Sequence, residues 1–281
     1  MADLEERVVI SRVFVTCDTS PLSAAVLEAA AGLASALGAE LAGLFVEDIN
    51  LMRMAELPFA RELGLSSAAV RRVEAIELER ALRLQAERVR TALAAAAREL
   101  RLQWSFQVVR GAVFNAVFES VREMDLVVFG KTSYGIAAKS GRSMPPSAAG
   151  GEKTGRPTAL FTSLSPRPVI ALYDQSPAAL RALAAALALA RTTRTELVLL
   201  IVAADAESFV ALRGEAEAWL AQHGRAARYL SLPARDAAAI EQAVRAQSGA
   251  ALLWYGEKTP ADWRAFSTLV SALDCPVVLV V

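Results

Sequence analysis

The sequence predicts an α/β protein built from two tandem copies of one unit, each an open parallel sheet with helices on both faces. Three observations predict it. The length of 281 residues suits two domains of ordinary size, each large enough to bury a core. A segment near the start recurs past the middle of the chain. Around each copy, short β-rich runs alternate with longer helical periodicities, the pattern of right-handed crossovers in a parallel sheet.

The repeat comes first because it fixes the domain count. Val13-Phe-Val-Thr-Cys-Asp-Thr-Ser-Pro-Leu matches Val169-Ile-Ala-Leu-Tyr-Asp-Gln-Ser-Pro-Ala, with Asp18 over Asp174, Ser20 over Ser176 and Pro21 over Pro177. The offset of 156 residues holds without a gap to Val46 over Val202, so a strand, a helix and a second strand are duplicated. Later, Asp125-Leu-Val-Val-Phe-Gly aligns with Ala251-Leu-Leu-Trp-Tyr-Gly at an offset of 126, which leaves the second copy 30 residues shorter in its middle.

Each copy opens on a buried strand, Val13 to Thr16 or Val169 to Tyr173. The serine of Asp-x-Ser-Pro is placed to cap a helix, and the proline suits the first turn, where its missing N–H is not needed. Val26, Leu27, Ala30, Leu33, Ala34 and Leu37 recur at helical spacing, and Gly38 stops that helix before a strand over Glu40 to Val46. The extra residues of the first copy lie after Val46 and include a long helix predicted over Ala68 to Leu100, packed by Val73, Ile76, Leu78 and Leu82. Its charged length also suits a partner surface. A strand over Trp104 to Arg110, a helix over Val113 to Arg122 and a strand over Leu126 to Phe129 follow. Arg228 to Leu232, Ala237 to Ala246 and Ala251 to Tyr255 take the same roles in the second copy, and a final helix over Phe266 to Leu273 leads into the closing strand. Lys139 to Pro157, rich in Gly, Ser and Pro, reads as a loop. Thr158 to Leu164 reads either as a fifth strand of the first copy or as a short helix.

Composition narrows the function. Lys and Arg number 30 and Asp and Glu number 30, so no net field favours nucleic acid or an anionic membrane. Ala182 to Ala190 is followed by Arg191 and Arg194, short of the about 20 apolar residues that span a bilayer. Asp3, Glu5 and Glu6 oppose a basic signal sequence, and two distant cysteines, Cys17 and Cys275, suit a reducing compartment. A cytoplasmic location is therefore expected.

The strand ending in Asp18 or Asp174 before Ser-Pro, the second strand ending Leu44-Phe-Val-Glu-Asp, the fourth strand Asp125-Leu-Val-Val-Phe-Gly and the closing Cys275-Pro-Val-Val-Leu-Val-Val resemble, in this order, the universal stress proteins in their tandem two-domain form. The resemblance covers nearly the whole chain. It implies two flavodoxin-like domains of the adenine-nucleotide alpha hydrolase type, each with five parallel strands, over residues 1–164, with a loop at 131–157, and 165–281. It implies a regulatory or stress-response role, and it carries ribose and adenine contacts onto Asp18 and Val46. The family's phosphate loop is Gly, two residues, Gly, nine residues, Gly and Ser or Thr, where glycines let the main chain approach phosphate. The resemblance places that loop on Phe129, Gly130, Gly135, Gly141 and Ser143, but the glycine spacing departs from the family's. Lys131, Lys139, Arg142 and Lys153 are available to supply charge in its place. After Gly256 no further glycine occurs, so ATP or ADP is the expected ligand of the first domain and no cofactor is expected in the second.

Each candidate also has a plain structural reading. Asp18 suits a ribose contact or, equally, a carboxylate at a helix N-terminus, whereas for Asp174 the structural reading is favoured. Gly130-Lys-Thr lacks the glycine five residues earlier that a Walker A loop requires, since that position is Asp125. Cys17 reads as buried and inert rather than as an activated thiolate. His223, the one histidine, reads as a surface residue at a helix end, so neither a catalytic residue nor a metal site is predicted. An adenylating ligase or pyrophosphatase would need a Ser-Gly-Gly-type loop where Cys17-Asp-Thr-Ser-Pro-Leu stands. The competing expectation is a nucleotide-free scaffold that self-associates or binds a protein partner.

Overall fold

The computed structural model describes residues 10–17, 24–49, 52–53, 61–63, 70–72, 75–111, 117, 120–122, 125–130, 167–256 and 259–281. The first half holds β1 (Arg12–Cys17), α1 (Ala24–Leu37), β2 (Glu40–Asp48), β3 (Arg61–Leu63), β4 (Val70–Arg72), α2 (Ala75–Glu99), β5 (Trp104–Gly111) and β6 (Asp125–Phe129). The second holds β7 (Val169–Tyr173), α3 (Pro177–Thr193), β8 (Leu197–Val202), α4 (Ala206–Gln222), β9 (Arg228–Leu232), α5 (Ala237–Ala246), β10 (Ala251–Tyr255), α6 (Pro260–Ala272) and β11 (Val277–Val280).

The predicted α/β class is what the chain adopts, with the two sets of strands joined in one nine-stranded sheet of order β5-β2-β1-β6-β11-β10-β7-β8-β9. In this sheet every pairing within a half is parallel, while β3 and β4 form a separate two-stranded antiparallel sheet. The pairing between halves, β6 with β11, is antiparallel and sets Val277 opposite Phe129 and Val280 opposite Leu126. The second half has the five parallel strands expected. The first has four among the described residues, and β11 takes the place beside its β6. The segment Thr158 to Leu164, the loop 131–157 and the boundary at 164 lie outside the described residues, as does most of Val113 to Arg122.

Strands covered on both faces need no polar alternation, and β6, β7, β10 and β11 are buried at every position. On one face of the joint, α1 packs against α3, its counterpart in the repeat. Both helices bury alanines, Ala29 to Ala31 and Ala34 in one and Ala182, Ala185, Ala186 and Ala190 in the other. On the other face, Phe129 meets Phe266 of α6 edge to face with ring centroids 5.0 Å apart, and Trp263 stacks on Phe266 at 5.3 Å.

Helix ends follow local sequence. Gly38 closes α1 with φ +65°, a conformation natural to glycine. Ser176 caps α3 by accepting from the Ala179 N–H at 3.1 Å, with Pro177 in the first turn as predicted. Two helix predictions are corrected. The helix predicted from Ala68 begins at Ala75, because Val70–Arg72 pairs antiparallel with Arg61–Leu63, a partner that helical periodicity does not reveal. The helix predicted from Phe266 begins at Pro260, where the Thr259 hydroxyl accepts from the Asp262 N–H at 3.2 Å. Of the stripe predicted for α2, Leu82 is buried and Leu78 packs against the core, joined by Ala86, Val89, Leu93 and Ala97, whereas Ile76 is 81% exposed and Val73 lies outside the described residues.

Two charged groups under the sheet and helices generate predictions. Asp125, with its side chain nearly sealed, accepts from Arg12 Nε at 3.1 Å and Nη2 at 2.6 Å and from the Arg122 N–H at 2.8 Å, tying the amino ends of β1 and β6. Asp125→Ala strands the guanidinium, and urea unfolding is expected to show a loss of about 3 kcal/mol. Glu28 in α1 is buried with Oε2 unpartnered, and burial raises its carboxyl above the ordinary 4.5. The folded state therefore holds this proton more tightly than the unfolded state, and stability falls as pH rises through that window. Glu28→Gln is expected to match the parent near pH 4 and exceed it by about 1 kcal/mol at pH 7.

Candidate functional site

In open α/β sheets, ligands bind outside the carboxyl ends of the strands where strand order reverses. In the first half that point lies between β1 and β6. Their parallel register sets Val15 beside Val128, and the ladder with β2 sets Cys17 beside Phe45. Gly130 directly follows β6. The end of β1, residues Phe45 and Val46, and Gly130 therefore lie on three adjacent strands at one edge. The Thr16 hydroxyl donates to the Val128 carbonyl at 3.3 Å and braces β1 against β6 there. Farther along the same edge Arg110 Nη2 stands 3.0 Å from Glu47 Oε2.

Of the residues predicted to hold nucleotide, Val46, Phe129 and Gly130 are described, whereas Asp18, Gly135, Gly141 and Ser143 lie outside the described residues. Val46 and Phe129 are fully buried, so their side chains belong to the core. Gly130 has a packing role of its own: a Cβ there would come within 2.5 Å of Val26 Cγ2 on α1. Its missing side chain is what lets α1 close on the sheet. Cys17 is buried, as expected. His223 is exposed at the end of α4, stacked on Trp219 at 4.0 Å.

The corresponding point in the second half lies between β7 and β10 and is crowded with polar side chains. Asp174 accepts from the Ser176 N–H at 3.0 Å, a turn made possible by Gln175 at φ +70°, a left-handed conformation uncommon outside glycine. The Tyr255 hydroxyl is buried beside Asp174 and Ser176. Burial, then the Asp174 carboxylate, raises this phenol well above its ordinary range, against the opposing pull of Arg235. Neighbouring Tyr173 is pushed up to about 12, chiefly by burial and secondarily by Glu215 and Asp174.

Arg235, between β9 and α5, reaches the end of β10. Its guanidinium lies 4.4 Å from the Trp254 ring and 4.7 Å from the Tyr255 ring. It donates to the Tyr255 carbonyl and stands 3.4 Å from Asp262 Oδ1. No sequence motif marks Arg235 or Tyr255. One signal was present: the repeat sets Tyr255 over Phe129, so the second copy carries a hydroxyl that the first lacks. Nothing in the local pattern marks Arg235.

No family model matches the sequence, and neither does any curated protein. Solved structures do. A universal stress protein from Archaeoglobus fulgidus DSM 4304 is similar over 97% of this chain and 97% of its own, with a TM-score of 0.56 and 14% identity. A member of the universal stress protein family from Burkholderia pseudomallei aligns 96% of its length with 42% of this chain, with a TM-score of 0.34 and 22% identity. The first likeness shows that the chain has the universal-stress-protein fold along nearly its whole length.

The contact at Gly130 generates a prediction. Gly130→Ala must displace Val26 or α1, and overpacking of this kind typically costs about 1–3 kcal/mol. Combining it with Val26→Ala should recover part of that loss in chemical denaturation, because the second change removes the methyl group that the new Cβ would strike.

Proposed function

We propose that the chain is a regulatory or stress-response protein of the universal-stress-protein type that binds one adenine nucleotide, ATP or ADP, at the carboxyl crevice of its first half. The observation that carries this reading is the register of β2, β1 and β6, which sets Val46, the end of β1 and Gly130 on adjacent strands at one edge. The stretch 131–143 that follows Gly130 supplies glycines, hydroxyls and cations suited to phosphate. In the second half, by contrast, Arg235, Tyr255 and Asp262 crowd the equivalent place. Binding rather than turnover fits the position of His223, which lies at the end of α4 and is held by its stack on Trp219.

A nucleotide-free scaffold is the second reading, and one observation favours it. Gly130 is already required by the approach of Val26, so its presence alone does not call for phosphate.

Titration calorimetry separates the two. The parent should bind ATP with about one site per chain, and Asp18→Ala should weaken binding roughly 10-fold or more, the loss expected for a hydrogen bond to a charged acceptor. Asp174→Ala should leave ATP binding unchanged. Equal losses from both substitutions would sink the asymmetry between halves, and no binding at millimolar ATP would establish the scaffold reading.

A further inference from the structure

We infer that Arg235 is a built-in occupant of the second crevice, a side chain that fills from within the chain the place an outside ligand would take and closes that half to it. This rests on the reading that the carboxyl crevice of each half is where ligand goes. The geometry has three parts. The guanidinium lies over Trp254 and Tyr255 and donates to the last carbonyl of β10, so it occupies the strand end itself. It is neutralised in place by Asp262, which belongs to the first turn of α6.

Second, the space is made by a glycine. A Cβ on Gly256 would stand 3.0 Å from Arg235 Nη2 and 3.0 Å from Trp254 Nε1. In the repeat Gly256 lies over Gly130, where the same atom would strike Val26 instead. The glycine has been kept, and what approaches it has changed from a helix methyl group to a cation. A planar guanidinium suits this slot because it stacks on rings with its faces while its edge donates to carbonyl and carboxylate oxygens.

Third, the cluster is largely buried, with about three quarters of the Arg235 and Asp262 side chains out of solvent. Arg235 Nε is out of reach of solvent and completes no hydrogen bond, and the Tyr255 hydroxyl is buried beside Asp174 and Ser176. A phosphate brought to this place would also meet the Asp174 and Asp262 carboxylates, with the Arg235 guanidinium already engaged.

The test uses the full chain and needs no nucleotide, so it stands or falls separately from the ATP reading. Arg235→Ala should create a site for ethylguanidinium, detected by calorimetry at about one per chain, the single vacated slot. The same salt should raise the melting temperature of Arg235→Ala but not of the parent, and sodium chloride at equal concentration should raise neither. In a double-mutant cycle, Gly256→Ala should lower the melting temperature of the parent, and that loss should be at least halved in the Arg235→Ala background. If Arg235→Ala does not fold, Arg235→Lys carries the same cycle, because the slimmer ammonium leaves room beside Gly256. Equal losses from Gly256→Ala in both backgrounds, or ethylguanidinium binding to the parent as well as to the variant, would overturn the inference.

Discussion

The antiparallel ladder between β6 and β11 turns a four-stranded and a five-stranded parallel sheet into one. Each half alone is a parallel sheet whose fourth or fifth strand would present a row of unpaired amides and carbonyls. Pairing Leu126 to Phe129 with Val277 to Val280 closes both rows at once. It also explains why these strands read as unbroken apolar runs, since helices cover them from both sides. The α1–α3 contact and the Phe129–Phe266 contact then lie over and under one seam, so the core runs continuously from one half into the other.

An antiparallel seam has a geometric result for function. The strands of the two halves run in opposite directions, and their carboxyl ends emerge at opposite edges of the sheet. The two crevices therefore face away from each other, and each has diverged on its own. One keeps a glycine beneath a helix, with a glycine- and cation-bearing stretch beyond it. The other has turned inward, filling itself with Arg235, Tyr255 and Asp262. Such divergence leaves the seam untouched, because none of these residues lies on β6 or β11.

Much of this was legible in the sequence because it is encoded locally. The repeat located β1, α1 and β2 and their copies, and Ser176, Pro177 and Gly38 marked helix ends through hydrogen bonding and backbone geometry confined to a few residues. What escaped notice is set by partners distant in sequence. Val70 to Arg72 looks helical until Arg61 to Leu63 pairs with it, and Ile76 fits an apolar stripe yet is left exposed where Leu78 and Leu82 pack on the core. Phe129 stands just before the glycine of the expected phosphate loop, and only the fold shows that its ring packs at the seam between halves. Arg235 carries no motif, and its role arises only because the loop after β9 ends at the tip of β10. The phosphate stretch itself was readable only as composition.

The seam also has a consequence in time. Its two strands are separated by the 148 positions from Phe129 to Val277. A ribosome adding about 5–20 residues per second takes roughly 7–30 s to cover that distance. Throughout that interval β6 has emerged while β11 does not yet exist. A nascent chain therefore carries the apolar, unpaired margin of β6 into a crowded surrounding before its own partner strand is available, and whatever shields that margin in the meantime must let go when Val277 to Val280 arrive.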